Sequence, residues 1–597
     1  MIGRQSAKYG KREAYRFCWR KEGEWLSTSW SDFAVQVDVA GRALAALGLE
    51  ENGRIAICSP NTPQILITEC GAFQNRAAVT PLYAATSQRQ FDFIVNDCGA
   101  RLLFVGDSHQ YALAYDYYKR NPERVAGIVV FKNDGIALHE DDTATMFWDD
   151  FVRLGMNAGD DIRREVKART GRGVPSDLAT LIYTSGTTGD PKGVEILHSN
   201  YDFAIDTHLD ALKSVSDGDL SMAFLPMSHI FEKAWCFFCL AKGIRIAVNY
   251  DPRNIQNALK DVEPTIMCCV PRFWEKIYVG INDKINSMGA LRRFMAHRAL
   301  KVGRRRNIDY VRLGKPVPAL LERRYRFWDK RVFSPLRQAI GIPKPNMFPT
   351  AGAPLSDKIC EFMRSVGIGV KVGYGLSETT ATVTCFPDEG YEIGTVGKPL
   401  PGIDVKISEE GEILVKSPGV TPGYYNDEAA NKEAFTDDGY FRTGDAGYFN
   451  EDGVLVLTER IKDLFKTANG KYIAPQAIES RLAENKYIDE VAVIGDKRKF
   501  VTALVVPNFA NLRKWAADKG VISGDAAAMA SNSNVMDFLM EQIEKVQAGF
   551  AEFEKIKRIH VLSQGFSMDR GELTNTLKVR RSVVARHYAK EIDTLYV

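Results

Sequence analysis

Between residues 50 and 106 the chain alternates short apolar runs with amphipathic ones. RIAICSP, AAVTPL and RLLFVGD are apolar runs of strand length, and the stretches between them, Thr62 to Gln74 and Ser87 to Cys98, read as helices. Strands alternating with helices predict βαβ units on a parallel sheet. The polar, acidic stretch HEDDTATMFWDD (139–150) predicts a surface connection. LATLIYT (178–184) predicts a further strand, a helix is expected to begin near Ser199, and SMAFLP (221–226) predicts another strand. MFPTAGAPLSD (347–357) and VKVGYGLSETTA (370–381) each read as a strand running into a glycine-bearing turn. From Gly394 to Tyr425 short alternating strands predict a small β subdomain. The chain beyond has its own pattern: a helix over Pro475 to Glu484, strands at VAVIG and FVTALVVP, and a helix over Val535 to Phe550. The expected fold class is therefore α/β. Residues 1–460 form a large N-terminal domain of αβ-sheet subdomains plus a small β subdomain, and 461–597 form a small α+β C-terminal domain.

Composition changes this picture little. At 597 residues the chain is too long for one core, and its net charge of +3 gives no reason to expect nucleic acid as a partner. Ten cysteines are thinly scattered, which argues against a disulfide scaffold and fits a reducing cytoplasm. Cys236 and Cys239 form one CxxC with no second pair, so WCFFC reads as a buried helix rather than a zinc site. No signal-peptide core opens the chain, and no window reaches the ~18 continuous apolar residues of a spanning helix, so membrane contact would be peripheral. Residues 285 to 341 differ in character: two helical stretches carry Arg292, Arg293, Arg298, Arg304, Arg305 and Arg306, then Arg323, Arg324, Arg326, Lys330 and Arg331, interleaved with aromatic and aliphatic side chains. Such a face is either simply solvated or an interfacial patch for anionic lipid.

The strand at 178–184 runs into TSGTTGDPKG. Gly186, Gly189 and Gly193 allow tight turns, and Thr184, Ser185, Thr187 and Thr188 add hydroxyl donors to an anion-binding nest, with Lys192 as a movable charge. This is a phosphate cradle after a strand, although composition alone fits a solvated loop equally well. The nucleoside-triphosphatase P-loop is excluded, because Pro191 stands where its second glycine belongs. Further along, Pro226, Ser228 and His229 fall at a strand end, and Gly352, Ala353 and Pro354 would let a flat ring approach the backbone. Tyr374 offers a ring face beside Gly375, while Ser377, Glu378 and Thr379 offer oxygens. Asp445 lies at a Gly-Asp turn, where a short carboxylate can accept from two vicinal hydroxyls.

Taken in order, TSGTTGDPKG, LPMSH, YGLSE, the Gly-Asp turn and LTNTLK resemble the motifs of the adenylate-forming superfamily. The inserted basic segment, FKTANGKYIAP and LTNTLK resemble its long-chain fatty acid–CoA ligases. The resemblance implies ATP, Mg²⁺ and coenzyme A as co-substrates and cofactor, with a fatty acid as acyl donor. It implies Lys192 on the departing phosphates, Tyr374 beside adenine, Ser377 at a phosphate, Glu378 with Thr184 on Mg²⁺, and Asp445 with Arg460 on the ribose. By the same resemblance His229 positions the carboxylate, Lys462 is the hinge of a mobile C-terminal domain, Lys466 and Gly470 border a pantetheine channel, and Lys578 is the mobile catalytic lysine. Trp235 is a candidate gate to an acyl tunnel. Glu459 replaces the usual glycine before Arg460. Alternatives from other classes are an adenylating ligase for a medium-chain or aromatic acid or a carrier-protein acceptor, a luciferase-type oxidation, and a catalytically silent nucleotide-binding membrane scaffold.

Overall fold

A computed structural model describes the chain except residues 20–22, 133–134, 185–189, 462–463, 469–470, 521–523, 568–569 and 574–578, and the side chains of Glu459 and Tyr472. The strands Arg54–Cys58, Ala78–Leu82 and Leu102–Val105 are buried at almost every position, as expected of parallel strands covered on both faces. They form the centre of a seven-stranded sheet ordered Thr145–Phe147, Gly127–Val130, Leu102–Val105, Arg54–Cys58, Ala78–Leu82, Leu178–Thr184, Lys192–Leu197. All neighbours are parallel except the last pair. Lys192–Leu197 pairs antiparallel because residues 185–191 are too few for a crossover. The crossover helices Pro63–Gln74 and Gln88–Cys98 fall where the amphipathic runs predict them.

One expectation needs correction. Residues 139–150 are not only a surface connection: Thr145–Phe147 is the sheet's edge strand and Trp148 opens a helix. A three-residue edge strand, half-exposed throughout, carries too little apolar signal to be seen in sequence.

A second sheet joins Leu220–Ala223, Arg245–Asn249, Glu13–Cys18 and Leu26–Ser29, and a third joins Phe348–Thr350, Val370–Tyr374, Thr384–Cys385 and Lys398–Pro399. Isolated bridges from Ile266 to Ser221 and to Met347, and from Cys269 to Thr350, tie these two sheets together. The β subdomain is an antiparallel meander of Asp404–Ile407, Glu412–Lys416, Phe441–Phe449 and Leu455–Arg460.

The C-terminal part has its own core around Ile488–Ile494, Val501–Pro507 and Ile556–Val561, packed by Ser533–Val546. It touches the rest of the chain through Glu484, which accepts from Ser356 and faces Lys358, and through Arg272, which donates to the Asp489 carbonyl at 2.5 Å.

The basic insertion is the Ala290–Asp309 helix followed by Ala319–Trp328, a wide turn at Asp329–Phe333 and Ser334–Ile340. Its arginines divide into two sets. Arg304 pairs with Glu361 and Asp309, Arg306 pairs with Glu322 and lies over Tyr325, and Arg337 is buried against Asp329. Arg292, Arg293 and Arg298 are exposed. Among the described residues no helix is long and apolar enough to cross a membrane.

Candidate active site

A cavity of about 1610 Å³ opens where the Leu178–Thr184, Phe348–Thr350 and Val370–Tyr374 strands end against the β meander. Ile494, Gly495 and residues 579–583 of the C-terminal part border it as well.

One half of the cavity is polar. The loop called a phosphate cradle hangs between Thr184 and Lys192, which are register partners on adjacent strands. Thr184 and Lys192 both line the cavity, while Ser185, Gly186, Thr187, Thr188 and Gly189 lie outside the described residues. The Lys192 ammonium stands 5.1 Å over the Tyr424 ring and 3.9 Å from an Asp427 oxygen. Tyr424 also donates its hydroxyl to Glu378 Oε1 at 3.0 Å. Glu378 is half-buried in the wall. Loss of hydration raises its pKa, and the Tyr424 hydrogen bond and the Arg460 charge only partly offset this.

The turn carrying Glu378 is held in an unusual backbone. Thr380 and Ala381 have φ of 48° and 80°, a left-handed conformation costly for residues with a Cβ. That fold-back brings the Ala381 carbonyl against Gly375, where a Cβ would sit 1.5 Å from its oxygen. Glycine is therefore obligatory at 375. Gly352, at φ 92°, also lines the cavity beside Ala353, and a Cβ there would meet open space.

Tyr374, Asp445 and Arg460 come together as a chain. The Tyr374 hydroxyl donates to Asp445 Oδ2 at 2.7 Å, and Arg460 Nε donates to Asp445 Oδ1 at 3.2 Å. Burial and the facing Asp445 carboxylate raise the Tyr374 pKa well above its usual value, so it stays a donor. Asp445 and Arg460 are also register partners in the meander, which is why a Gly-Asp turn and an arginine fifteen residues on meet. Ser377 is buried in the cavity wall.

The other half of the cavity is apolar. Tyr201, Ala204, Ile205 and His208 form a stripe on the His198–Ala211 helix, continued by Leu212, and face Ile230, Ala234, Trp235 and Phe238 of the Ile230–Lys242 helix. At 1.5 Å per residue the stripe from Tyr201 to Leu212 is about 16 Å long. His208 is its polar member. It contacts the Ala204 carbonyl at 2.5 Å and Thr382 at 3.0 Å, and burial lowers its pKa, so it is neutral. Trp235 donates its indole N–H to Ser221 at 2.9 Å and stacks on Phe238, which fixes it as wall.

His229 lines the cavity at the N-terminus of the Ile230–Lys242 helix, whose next residue, Ile230, belongs to the apolar wall. Its Nδ1 accepts from the Phe231 N–H at 3.2 Å, so the proton of the neutral ring is on Nε2. Lys466 lies on the Phe465–Lys466 strand, exposed, with its backbone carbonyl accepting from Lys497. Lys462, Gly470 and Lys578 lie outside the described residues. Tyr424 and Asp427 were not foreseen. They lie between the Glu412–Lys416 and Phe441–Phe449 strands of the meander, in no recognisable motif, and what brings Tyr424 to the site is its antiparallel bridge to Val194.

Among the described residues no cluster of three or more His, Cys, Asp or Glu could hold a metal alone. Mg²⁺ commonly uses one or two carboxylates and takes its remaining oxygens from phosphate and water. The Glu378 carboxyl, short of compensating charge, and the Thr184 hydroxyl fit that donor set.

Comparison with known proteins identifies the family. Residues 2–425 match the AMP-binding enzyme family and 462–597 match the AMP-binding enzyme C-terminal domain. The chain belongs to the AMP-binding enzyme family. It is 30% identical to long-chain-fatty-acid–CoA ligase FadD15 of Mycobacterium tuberculosis over 96% of this chain and 93% of that one. It is 29% identical to human long-chain-fatty-acid–CoA ligase 1 over 96% of this chain and 82% of that one. In fold it resembles the anthranilate CoA ligase AuaEII in complex with anthranoyl-AMP (TM-score 0.72, 17% identity, covering 100% of this chain and 97% of that one). The adenylation domain of a carboxylic acid reductase from Segniliparus rugosus gives a TM-score of 0.76 at 18% identity, covering 100% and 93%.

Proposed function

We propose that this protein is an ATP-dependent long-chain fatty acid–CoA ligase, forming acyl-AMP with release of pyrophosphate and then acyl-CoA with release of AMP. The observation that carries the reading is the single cavity, with Tyr374, Asp445 and Arg460 at one end and the 201–212 apolar stripe at the other. His229 lines the same cavity.

A carboxylate is ionised near pH 7 and needs no base to attack the α-phosphate. The obstacle is repulsion: unit charges ~4 Å apart at an effective dielectric of ~20 repel by ~4 kcal/mol, and triphosphate carries several. In this reading the His229 Nε2–H orients the carboxylate and Lys192 offsets charge on the β- and γ-phosphates. Lys578 bridges carboxylate and α-phosphate. Asp445 and Arg460 hold the ribose, Tyr374 and Gly352 with Ala353 flank the adenine, and Ser377 contacts a phosphate. Glu378 and Thr184 would hold Mg²⁺, which when bound would supply charge neutralisation at the phosphates. These are positioning and electrostatic effects. The domain boundary lies at 460/461, Lys462 is the hinge, and Lys466 and Gly470 line the route of the CoA thiol after pyrophosphate has left. The test is product analysis with oleate, MgATP and CoA. Oleoyl-CoA, AMP and pyrophosphate in equal amounts are expected, and ADP with phosphate would overturn the reading.

A second reading concerns where the enzyme works: in the reducing cytoplasm, against an anionic membrane. Residues 285–341 hold fifteen Lys and Arg against three Asp and Glu, a net +12 in a chain of net +3. On the Ala290–Asp309 helix Leu291, Phe294 and Met295 are exposed at 71%, 60% and 39% on the face shared with Arg298. Arg304 and Arg306 are engaged in ion pairs, whereas Arg292, Arg293 and Arg298 are exposed on the helix that carries these apolar side chains, and Arg305, Arg323 and Arg324 are exposed as well. Sedimentation with phosphatidylglycerol vesicles should be lost on Leu291→Ser with Phe294→Ser and weakened on Arg292→Gln with Arg293→Gln. Unchanged sedimentation of both variants would contradict it.

A further inference from the structure

The loop 225–229 that presents His229 has no strand neighbours of its own, yet it is pinned at three backbone atoms by two side chains with no place in the proposed chemistry. Asn61 Nδ2 donates to the Leu225 carbonyl at 2.8 Å, and Asn61 Oδ1 accepts from the Met227 N–H at 2.9 Å. Glu232 Oε2 accepts from the Leu225 N–H at 3.2 Å. Asn61 is 5% exposed and Glu232 is fully buried.

Asn61 lies between the Arg54–Cys58 strand and the Pro63–Gln74 helix of the seven-stranded sheet, whereas the loop leaves the second sheet at Ala223. Its amide bonds a C=O and an N–H two residues apart, as a neighbouring strand would. Only one amide orientation satisfies both partners. Glu232 is on the helix that His229 caps, one turn from Cys236, whose thiol points at its other oxygen at 3.9 Å. Among the described residues no ion pair to its carboxyl is found, and its neighbour Lys233 is paired with buried Glu69. Burial raises the Glu232 pKa well above the usual range, and its two oxygens accept from the Leu225 N–H and the Cys236 thiol. Loop and helix are then locked to each other, by His229 N–H to the Pro226 carbonyl at 2.9 Å and Lys233 N–H to the His229 carbonyl at 3.0 Å.

From this geometry we infer that Asn61 and Glu232 are positioning residues for adenylation. They clamp the loop between two sheets so that His229 Nε2 stays directed at the carboxylate rather than following the acyl helix as chains enter. The inference rests on the proposed role of His229.

The test is a double-mutant cycle read in pyrophosphate release with oleate and MgATP. His229→Ala alone should lower the rate. Asn61→Ala should lower kcat for pyrophosphate release by about 10- to 100-fold, the scale of a displacement near 1 Å, with KM for ATP unchanged. In the His229→Ala background the same Asn61 substitution should cost almost nothing further. Glu232→Ala should behave likewise, and Glu232→Gln, which keeps an acceptor, should recover most of the loss. If Asn61→Ala does not fold, Asn61→Asp, of equal size but without the donor to Leu225, takes its place. Full additivity of the Asn61 and His229 losses, or equal loss in Glu232→Gln and Glu232→Ala, would overturn the clamp. An unaffected His229→Ala would instead overturn the role of His229 itself.

Discussion

Replacing Gly375 by alanine isolates the backbone geometry on which the nucleotide half depends. The added Cβ would stand 1.5 Å from the Ala381 oxygen and 2.9 Å from the Thr382 Cα, whereas real contacts stay beyond 3.0 Å. Either Gly375 or the 381 peptide must therefore retreat by about 1.5 Å. The 381 side has little freedom. Thr380 and Ala381 already occupy the left-handed region, Thr380 donates to the Gly419 carbonyl at 2.7 Å, and Ala381 N–H is tied to the Leu376 carbonyl at 3.1 Å. Any retreat therefore moves Ser377 and Glu378, which lie inside the turn, and strains the Thr382–His208 contact that joins it to the acyl helix. A displacement near 1 Å costs about 100-fold, so pyrophosphate release at saturating oleate and MgATP should fall by about 100-fold or more. Stability should fall by only about 1–3 kcal/mol, the usual cost of overpacking, and denaturant titration would show the variant folded. Gly280→Ala, on a helix where the added carbon meets nothing within 4 Å, is the control and should leave the rate unchanged. A folded Gly375→Ala enzyme within about twofold of the parent would show that the 375–381 turn does not hold Ser377 and Glu378 in place.

Tyr424→Phe removes the hydrogen bond that holds down the Glu378 pKa; because the carboxylate is the form that binds Mg²⁺, the acid limb of kcat/KM for MgATP should move to higher pH, and an unmoved limb would contradict this. Lys233→Ala leaves Glu69 buried without its partner and should cost about 3–5 kcal/mol in denaturant titration, part of which is recovered by Lys233→Met with Glu69→Leu. In Lys233→Ala the Glu69 pKa stays raised by burial, so stability should be greatest at acid pH and decline as pH rises above the carboxylate range. Lys578→Ala should lose pyrophosphate release yet still convert added oleoyl-AMP to oleoyl-CoA; equal loss of both steps would remove Lys578 from its proposed role.

The parallel sheet was legible because Ile55 to Cys58 and Leu102 to Val105 are apolar at every position and longer, helix-length runs separate the strands. The edge strand at Thr145–Phe147 was not, since three half-exposed residues bury too little to leave a pattern. Single site residues could be read wherever a motif is contiguous, as with Gly375, Ser377 and Glu378. What joins them could not. The Tyr374–Asp445 contact spans 71 residues, Tyr424–Glu378 spans 46 and Asn61–Leu225 spans 164. Such pairs are products of topology: Asp445 meets Arg460 through strand register, and Asn61 meets Leu225 because two sheets abut. The basic segment shows the same limit. Its charge was plain, but the division into paired Arg304 and Arg306 and exposed Arg292, Arg293 and Arg298 follows from Glu361 and Glu322, one of them outside the segment.

The most direct test of the central claim is AMP release across carboxylates from octanoate to oleate, with aromatic acids included, each with and without CoA. Multiple-turnover AMP formation that requires both CoA and a long-chain acid is expected, because Ala204, Ile205 and Leu212 of the 201–212 stripe give the cavity an apolar wall. AMP release that is indifferent to CoA, or preferred with aromatic acids, would contradict it.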